Sequence, residues 1–268
     1  MPYVNSNGLR IFYDIAGPGL APPVVLIHGY TANGQTNWEF PGWVAALSER
    51  YRLIVPDLRG HGRSDKPHRA AAYSVGGMAR DVTACMAAEG VVQAAIFGYS
   101  MGGMVALEML LNHPGQVSAA IIGGMGSRFP RRGDRGKRGR RDEPGVEEAP
   151  PRQHRRGVRF LAAYLRHYDP LAMRAVWHGV FRGRGPVDAS RLGEIHVPVL
   201  CAAGMRDALY PSVTELATLI AGARLAAFSG RGHVSVVGDP RFKAAVLEFL
   251  GSLPATAVPL PSAAAVAE

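Results

Sequence analysis

The sequence has few cysteines and no long apolar run. Its 268 residues include two cysteines, Cys85 and Cys201, which lie far apart in apolar stretches. This pattern is typical of buried free thiols in a reducing compartment rather than of a disulfide. No apolar run reaches the roughly 18 residues of a membrane-spanning helix, and the N-terminal residues lack the basic and then apolar segments of a secretory signal. We therefore expect a cytoplasmic protein without a transmembrane segment.

Nucleotide and metal signatures are also missing from the sequence. The glycines of GYSMGG, residues 98–103, match neither the phosphate-loop pattern nor the dinucleotide-binding pattern. No cysteine and histidine spacing is typical of a zinc site. The sequence therefore predicts no cofactor and no metal, and it leaves the oligomeric state open.

Positive charge is concentrated in one segment. The formal net charge is +9, and residues 128–159 contribute +7 of it through eleven Arg and one Lys against five acidic residues. Such a run can attract nucleic acid or an acidic membrane as a docking arm. However, residues 131–156 hold no aromatic side chain on which bases could stack. We interpret the run as a solvated loop and expect no specific nucleic-acid partner.

Short apolar runs alternate with amphipathic stretches along most of the chain. The first two runs are joined by the turn dipeptide Asn7-Gly8, which predicts a β-hairpin. The run VVLI, residues 24–27, contains no polar residue, as is typical of a parallel strand buried on both faces. Further strands then alternate with helices. This order predicts an α/β fold with a mostly parallel, doubly wound sheet and flanking helices.

The alternation divides the chain into a core and an insertion. It holds over residues 1–125 and again over 191–253, which we predict to form the two parts of one core. Residues 126–190 interrupt it and predict a small helical cap at the C-terminal edge of the sheet. The Arg-rich part of this insertion is expected to be a flexible loop. The Pro/Ala-rich tail, 254–268, is expected to be disordered.

Two stretches of the insertion show helical character. Apolar residues recur at helical spacing in the first, at Val158, Leu161, Leu165 and Tyr168. The second is LAMRAVWHGVF, residues 171–181, which also favours a helix.

Ser100 lies between a predicted strand and a predicted helix. The flanking Gly98 and Gly102 permit the close backbone contacts of a strained strand–turn–helix element. Such a turn exposes the serine Oγ at a helix N-terminus, where the helix dipole stabilises developing negative charge. The alternative is a serine that merely caps the helix. We interpret Ser100 as a nucleophile.

A nucleophilic serine requires a base and a group that orients the base. Asp207 and His233 each follow a predicted strand of the second core segment. Because the carboxyl ends of parallel strands meet at one edge of a sheet, these side chains are expected near Ser100.

Five motifs together resemble those of the α/β-hydrolase superfamily, over roughly residues 8–125 and 188–252. They are LIHGY (26–30), VPDLRGHGRSDKP (55–67), GYSMGG (98–103), GMRDALYP (204–211) and GRGHVSVVGDP (230–240). This resemblance implies that Ser100 is the nucleophile, His233 the general base and acid, and Asp207 the orienting carboxylate. It also implies an oxyanion hole formed by the backbone N–H groups of Tyr30 and Met101.

Other residues compete for these roles. His28 and His61 lie in glycine-rich loops, which we expect them to hold in shape. Asp134 follows the sixth strand but lies in the Arg-rich stretch, and Asp239 is expected to cap a helix. We expect a structural role for Asp57.

The resemblance implies a serine hydrolase that cleaves a carboxylic ester of a small or medium apolar substrate through an acyl-enzyme. Hydrolysis of a lactone or of a C–C bond, or another acyl hydrolysis on the same fold, is the alternative. A non-catalytic relative that binds a ligand is an alternative of another class, although a pure binder does not require all three triad residues. The residues expected to line the substrate pocket are His28, Tyr99, Met125, Trp177 and Tyr210.

Overall fold

The structure is a computed structural model that describes residues 2–127, 160–162, 164–182 and 189–254. In these ranges eight strands form one sheet in the order β1-β2-β4-β3-β5-β6-β7-β8. The strands are β1 (Tyr3–Ser6), β2 (Leu9–Ala16), β3 (Pro23–Ile27), β4 (Arg52–Pro56), β5 (Ala94–Tyr99), β6 (Val117–Gly123), β7 (Val199–Gly204) and β8 (Arg224–Phe228). Strands β1 and β2 pair antiparallel, as do β2 and β4, whereas the pairs from β4 to β8 are parallel. The predicted mostly parallel sheet is confirmed.

Helices cover both faces of the sheet and bury two apolar layers. The α-helices with fully described bounds are α1 (Trp43–Leu47), α2 (Val75–Ala88), α3 (Met101–Asn112), α4 (Pro170–Val176), α5 (Tyr210–Leu219) and α6 (Pro240–Gly251). Helices α2, α3 and α5 contribute to the layer on one face. Helices α1 and α6 contribute to the layer on the other face, which includes Trp38, Phe97 and Phe242. The sheet is therefore doubly wound, as predicted from the alternation of strands and helices.

Local sequence accounts for the first hairpin and for the central strands. Asn7 and Gly8 both have positive φ, 51° and 81°, which is the backbone of a tight two-residue hairpin turn. Every residue of β3 is buried, as expected of its uninterrupted apolar run. Cys85 and Cys201 are buried free thiols, so that prediction is confirmed. None of the helices in the described ranges is long and apolar enough to span a membrane.

The described part of the insertion is helical. Residues 160–162 and 164–166 are helical, and α4 follows with Asp169 as its N-cap, which accepts hydrogen bonds from the N–H groups of Leu171 and Ala172. A π-helical turn, Trp177–Phe181, extends α4. The Arg-rich run, 128–159, and residues 255–268 of the tail lie outside the described residues, so the expectations about them stay predictions. The proposed division of the chain at residues 126 and 190 also stays a prediction.

Candidate active site

Ser100 occupies the turn between β5 and α3. Its φ of 53° and ψ of −111° are unusual for a residue with a side chain, and such backbone strain costs about 1–3 kcal/mol. The turn is held by a 2.7 Å hydrogen bond from the Ser100 N–H to the carbonyl oxygen of Gly123 and by bonds from Gly103 and Met104 to the Ser100 carbonyl oxygen. The serine is thus fixed at the N-terminus of α3.

Close backbone contacts require glycine on both sides of this turn. A Cβ atom at Gly98 would lie 2.1 Å from the carbonyl oxygen of Gly102. A Cβ atom at Gly102 would lie 2.0 Å from the carbonyl oxygen of Ile27, at the end of β3. The turn therefore packs against β3, the strand that leads into the loop of His28 and Gly29, called the HG loop below.

The structure brings Ser100, His233 and Asp207 together at the C-terminal edge of the sheet. The Nε2 atom of His233 lies 3.0 Å from the Oγ atom of Ser100. Its Nδ1 atom lies 2.7 Å from the Oδ2 atom of Asp207. With a proton on Nδ1, His233 donates to the carboxylate and offers Nε2 as an acceptor to the serine hydroxyl.

The Asp207 carboxylate is almost fully enclosed, whereas the imidazole is reachable. The side chain of Asp207 is 2% exposed, whereas that of His233 is 34% exposed. The other carboxylate oxygen, Oδ1, accepts a 2.9 Å hydrogen bond from the N–H of Leu209. Both oxygens are thereby satisfied, and the carboxylate is fixed in one orientation toward the imidazole.

Tyr99 contacts the loop that carries His233. It is 3% exposed, and its hydroxyl donates a hydrogen bond to the carbonyl oxygen of His233. The two rings lie 5.4 Å apart. The sequence predicts Tyr99 in the pocket, whereas in the structure its hydroxyl positions the loop that carries the imidazole.

The HG loop after β3 lies against the serine turn. A Cβ atom at Gly29 would be 3.4 Å from the Cβ atom of Ser100. The Gly29 N–H donates to the Oδ1 atom of Asn37 at 3.0 Å, which fixes the loop next to the serine. Among the described residues, the backbone N–H groups of Tyr30 and Met101 form no hydrogen bond. One of these donors follows Ser100 directly in the chain, and the other follows Gly29 in the adjacent loop.

Two buried histidines shape the loops around this site. His28 accepts a 2.9 Å hydrogen bond from the Leu58 N–H at Nε2 and donates from Nδ1 to the carbonyl oxygen of Gly29 at 2.8 Å. The Nδ1 atom of His61 lies 3.1 Å from the carbonyl oxygen of Arg59. Burial lowers the pKa of both imidazoles, and for His61 the lowered pKa also reflects the adjacent His28. Both residues order their loops as neutral side chains, in agreement with the expectation.

The competing carboxylates have other partners. Asp57 accepts hydrogen bonds from the N–H groups of Gly34 and Arg63, both at 2.8 Å. Asp239 caps α6 and forms 2.7 Å ion pairs with Arg231 and Arg241. Asp57 therefore has the expected structural contacts, and the predicted helix cap at Asp239 is confirmed. Asp134 lies outside the described residues.

The residues predicted to line the pocket divide into two groups. His28, Tyr99 and Met125 are buried beneath the site, and Met125 packs against Gly103 of α3. Trp177 is exposed on the insertion, and Tyr210 is half-buried at the first residue of α5. Substrate contact by any of the five stays a prediction. In the described ranges no three His, Cys, Asp or Glu side chains cluster as metal ligands would.

Comparisons with known proteins bear on the family of the chain. A family model described as the alpha/beta hydrolase fold matches residues 22–128. A putative carbamate hydrolase, RutD, of Azorhizobium caulinodans is 30% identical over 94% of this chain and 99% of its own length. Three mycobacterial relatives are 38% identical to this chain over 116 residues, and the matched region covers only 32% of the length of each relative.

Two solved structures extend the likeness over nearly the whole chain. Est816, described as an N-acyl homoserine lactone degrading enzyme, is 27% identical with a TM-score of 0.72, covering 92% of this chain and all of its own. The esterase RhEst1 of Rhodococcus is 28% identical with a TM-score of 0.71, covering 94% of this chain and 98% of its own.

Proposed function

Because the chain belongs to the α/β-hydrolase family, we propose that it is a serine hydrolase that cleaves carboxylic esters of small or medium apolar substrates. One observation carries the proposal, the continuous chain of contacts from Ser100 Oγ to His233 Nε2 and from His233 Nδ1 to Asp207, at 3.0 and 2.7 Å. A buried carboxylate, an imidazole and a hydroxyl in this order provide an activated nucleophile.

In the acylation step, His233 Nε2 takes the hydroxyl proton of Ser100 while Oγ attacks the acyl carbonyl carbon. The carbonyl oxygen gains negative charge and receives hydrogen bonds from the N–H groups of Tyr30 and Met101. One such donor contributes about 3 kcal/mol to transition-state stabilisation. The imidazolium then gives its proton to the leaving alcohol oxygen, and the acyl group remains on Ser100 as an ester.

In the deacylation step, His233 removes a proton from water, and the resulting hydroxide attacks the acyl carbonyl carbon. The proton returns to Ser100 Oγ as the acid leaves. Asp207 keeps the neutral imidazole protonated on Nδ1 and stabilises the imidazolium in both steps. Because its second oxygen is held by the Leu209 N–H, the carboxylate does not rotate away during the cycle.

Active-site labelling tests the nucleophile. We expect a fluorophosphonate probe to label the wild type and to leave Ser100→Ala unlabelled. Ser127→Ala is a matched control, because Ser127 lies at the same sheet edge after β6 and bonds to Glu215 instead of to an imidazole. Absence of labelling in the wild type, or equal labelling of Ser100→Ala, would contradict the proposal.

The orienting carboxylate has its own kinetic signature. Asp207→Asn preserves the shape of the side chain but favours the wrong imidazole tautomer, and in triads of this kind kcat falls about 10⁴-fold. We expect a loss of this order in ester hydrolysis with KM nearly unchanged. A loss below tenfold would show that Asp207 does not orient His233 in catalysis.

Lactone hydrolysis is the second candidate, favoured by the similarity to the lactone-degrading Est816 over the whole length of that protein. The same residues would open a cyclic ester, with the alcohol retained on the released acid. A panel of open-chain esters of increasing acyl length beside acyl homoserine lactones separates the two candidates. Turnover of lactones alone would replace the ester assignment.

A further inference from the structure

The insertion carries two stacked aromatic rings on a π-helical turn. In this turn, Trp177–Phe181, the Arg182 N–H donates a 3.1 Å hydrogen bond to the Trp177 carbonyl oxygen. The rings of Trp177 and Phe181 lie 5.1 Å apart with an interplanar angle of 27°. Such turns are rare and occur frequently at functional sites. This one aligns two aromatic side chains on the same side of the helix.

The stacked pair packs on the residue that supplies one of the proposed oxyanion donors. The ring of Tyr30 lies 5.2 Å from that of Phe181 and 6.0 Å from that of Trp177. Its hydroxyl donates a 2.9 Å hydrogen bond to the carbonyl oxygen of Met173 in α4. Tyr30 directly follows Gly29, where a Cβ atom would lie 3.4 Å from the Cβ atom of Ser100. The aromatic cluster of Tyr30, Trp177 and Phe181 thus begins at the residue after the one that contacts the serine turn.

Trp177 presents its indole to solvent. It is 49% exposed, whereas the other two tryptophans, Trp38 and Trp43, are fully buried. A half-exposed indole is an available stacking surface, because aromatic rings gain from offset or edge-to-face contact with a further ring. Nothing in the cluster is charged, and the ring of His61, 6.2 Å from that of Tyr30, is kept neutral by burial, which lowers its pKa.

We propose that Tyr30, Trp177 and Phe181 form a stacking subsite for a flat aromatic group of the substrate, with Trp177 as the specificity-determining residue. The assignment rests on the proposed function, since it places the aromatic group within one ester molecule whose carbonyl lies at Ser100.

Ligand binding tests the subsite without turnover. In a Ser100→Ala variant, we expect phenyl acetate to quench tryptophan emission saturably and butyl acetate to leave it unchanged. Trp177→Phe in the same background should abolish the quenching, because Trp38 and Trp43 are buried. A response without saturation, or one that survives Trp177→Phe, would overturn the assignment.

Kinetics test the contribution of Trp177 to specificity. Two matched pairs of esters are compared. Phenyl acetate and butyl acetate test an aromatic group on the alcohol side, and vinyl benzoate and vinyl hexanoate test one on the acyl side. For one pair, Trp177→Ala should lower the ratio of kcat/KM for the aromatic over the alkyl ester about three- to tenfold. Trp177→Phe should keep the ratio within about twofold of the wild type, because a ring remains.

Leu171→Ala is the matched control, since Leu171 is an exposed apolar residue of α4 that is not part of the aromatic cluster. Its ratios should equal those of the wild type. Unchanged ratios in Trp177→Ala for both pairs would overturn the inference. Failure of the proposed function is recognised separately, by an unlabelled wild type in the fluorophosphonate experiment, and the emission titration still tests the stacking subsite in that case.

Discussion

The two buried histidines of the loops around the site, His28 and His61, should make the folded protein sensitive to mild acid. Their rings pack edge-to-face at 5.0 Å, and both are fully enclosed. Protonation of His28 at Nε2 would break its hydrogen bond from the Leu58 N–H. Burial therefore lowers the pKa of both imidazoles below the ordinary value of 6.5.

The sign of the effect follows from proton uptake. Below pH 6.5 the unfolded chain binds protons at both histidines and the folded protein does not, so the free energy of unfolding falls as the pH falls. The stabilising contribution is complete above pH 6.5 and is lost on acidification. While both rings stay neutral in the folded protein, the slope from each approaches about 1.4 kcal/mol per pH unit only well below pH 6.5. Between pH 7.5 and 5.5 the two together should therefore cost at most about 2.7 kcal/mol.

Urea denaturation at pH 7.5, 6.5 and 5.5, followed by circular dichroism, measures this slope. His61→Asn should remove one of the two contributions, which amounts to at most about 1.4 kcal/mol over the whole range from pH 7.5 to 5.5. His196→Asn, at an exposed position, should leave the slope unchanged. If His61→Asn unfolds with the same pH dependence as the wild type, then His61 is not held neutral by burial and the reasoning fails.

Three further changes have defined outcomes. Gly102→Ala places a Cβ atom 2.0 Å from the carbonyl oxygen of Ile27 and should lower the free energy of unfolding in urea by about 1–3 kcal/mol or more, whereas Gly115→Ala, with nothing within 4 Å, should not. Asp239→Asn removes the negative charge that two arginines share, and their hydrogen bonds hold the pKa of this carboxyl well below its usual range. The variant should therefore be about 1–3 kcal/mol less stable than the wild type at pH 7. This difference in stability should begin to shrink below about pH 4. Tyr30→Phe loses its hydrogen bond to the insertion and should lower kcat for ester hydrolysis several-fold. If kcat and fluorophosphonate labelling are both unchanged, then Tyr30 has no positioning role.

The strands and the placement of the candidate triad could be predicted from the sequence. The run from Val24 to Ile27 is apolar throughout because it is buried on both faces, and the structure confirms it as part of β3. Ser100, Asp207 and His233 follow strands of one parallel sheet, so strand order alone predicts that they meet at one edge. Their distances agree with that expectation.

Contacts between side chains and loops that are distant in the chain could not be predicted from the sequence. The role of Tyr99 depends on a carbonyl oxygen 134 residues away, and no local pattern predicts that direction. The π-helical turn that stacks Trp177 on Phe181 is likewise a matter of backbone geometry, which residue spacing does not specify. Helical spacing predicted an apolar face at Leu161 and Leu165, yet both side chains are exposed, because periodicity identifies a face and not its partner.

The pairing of β6 with β7 bears on how such a protein can evolve. These strands are neighbours, in parallel register from Ala120 opposite Val199 to Gly123 opposite Ala202, so the chain between them returns from the C-terminal edge of the sheet to its N-terminal edge, and the insertion lies within that crossover. The entropy of closing a flexible loop grows only with the logarithm of its length, by about 0.6 kcal/mol per doubling. Outside α4, whose Ala172 and Val176 are buried in the apolar layer, residues in this crossover can therefore be added or removed at little entropic cost. A side chain at Gly98 or Gly102 would instead meet backbone atoms, so we expect changes in chain length to accumulate in the crossover and not at the nucleophile turn.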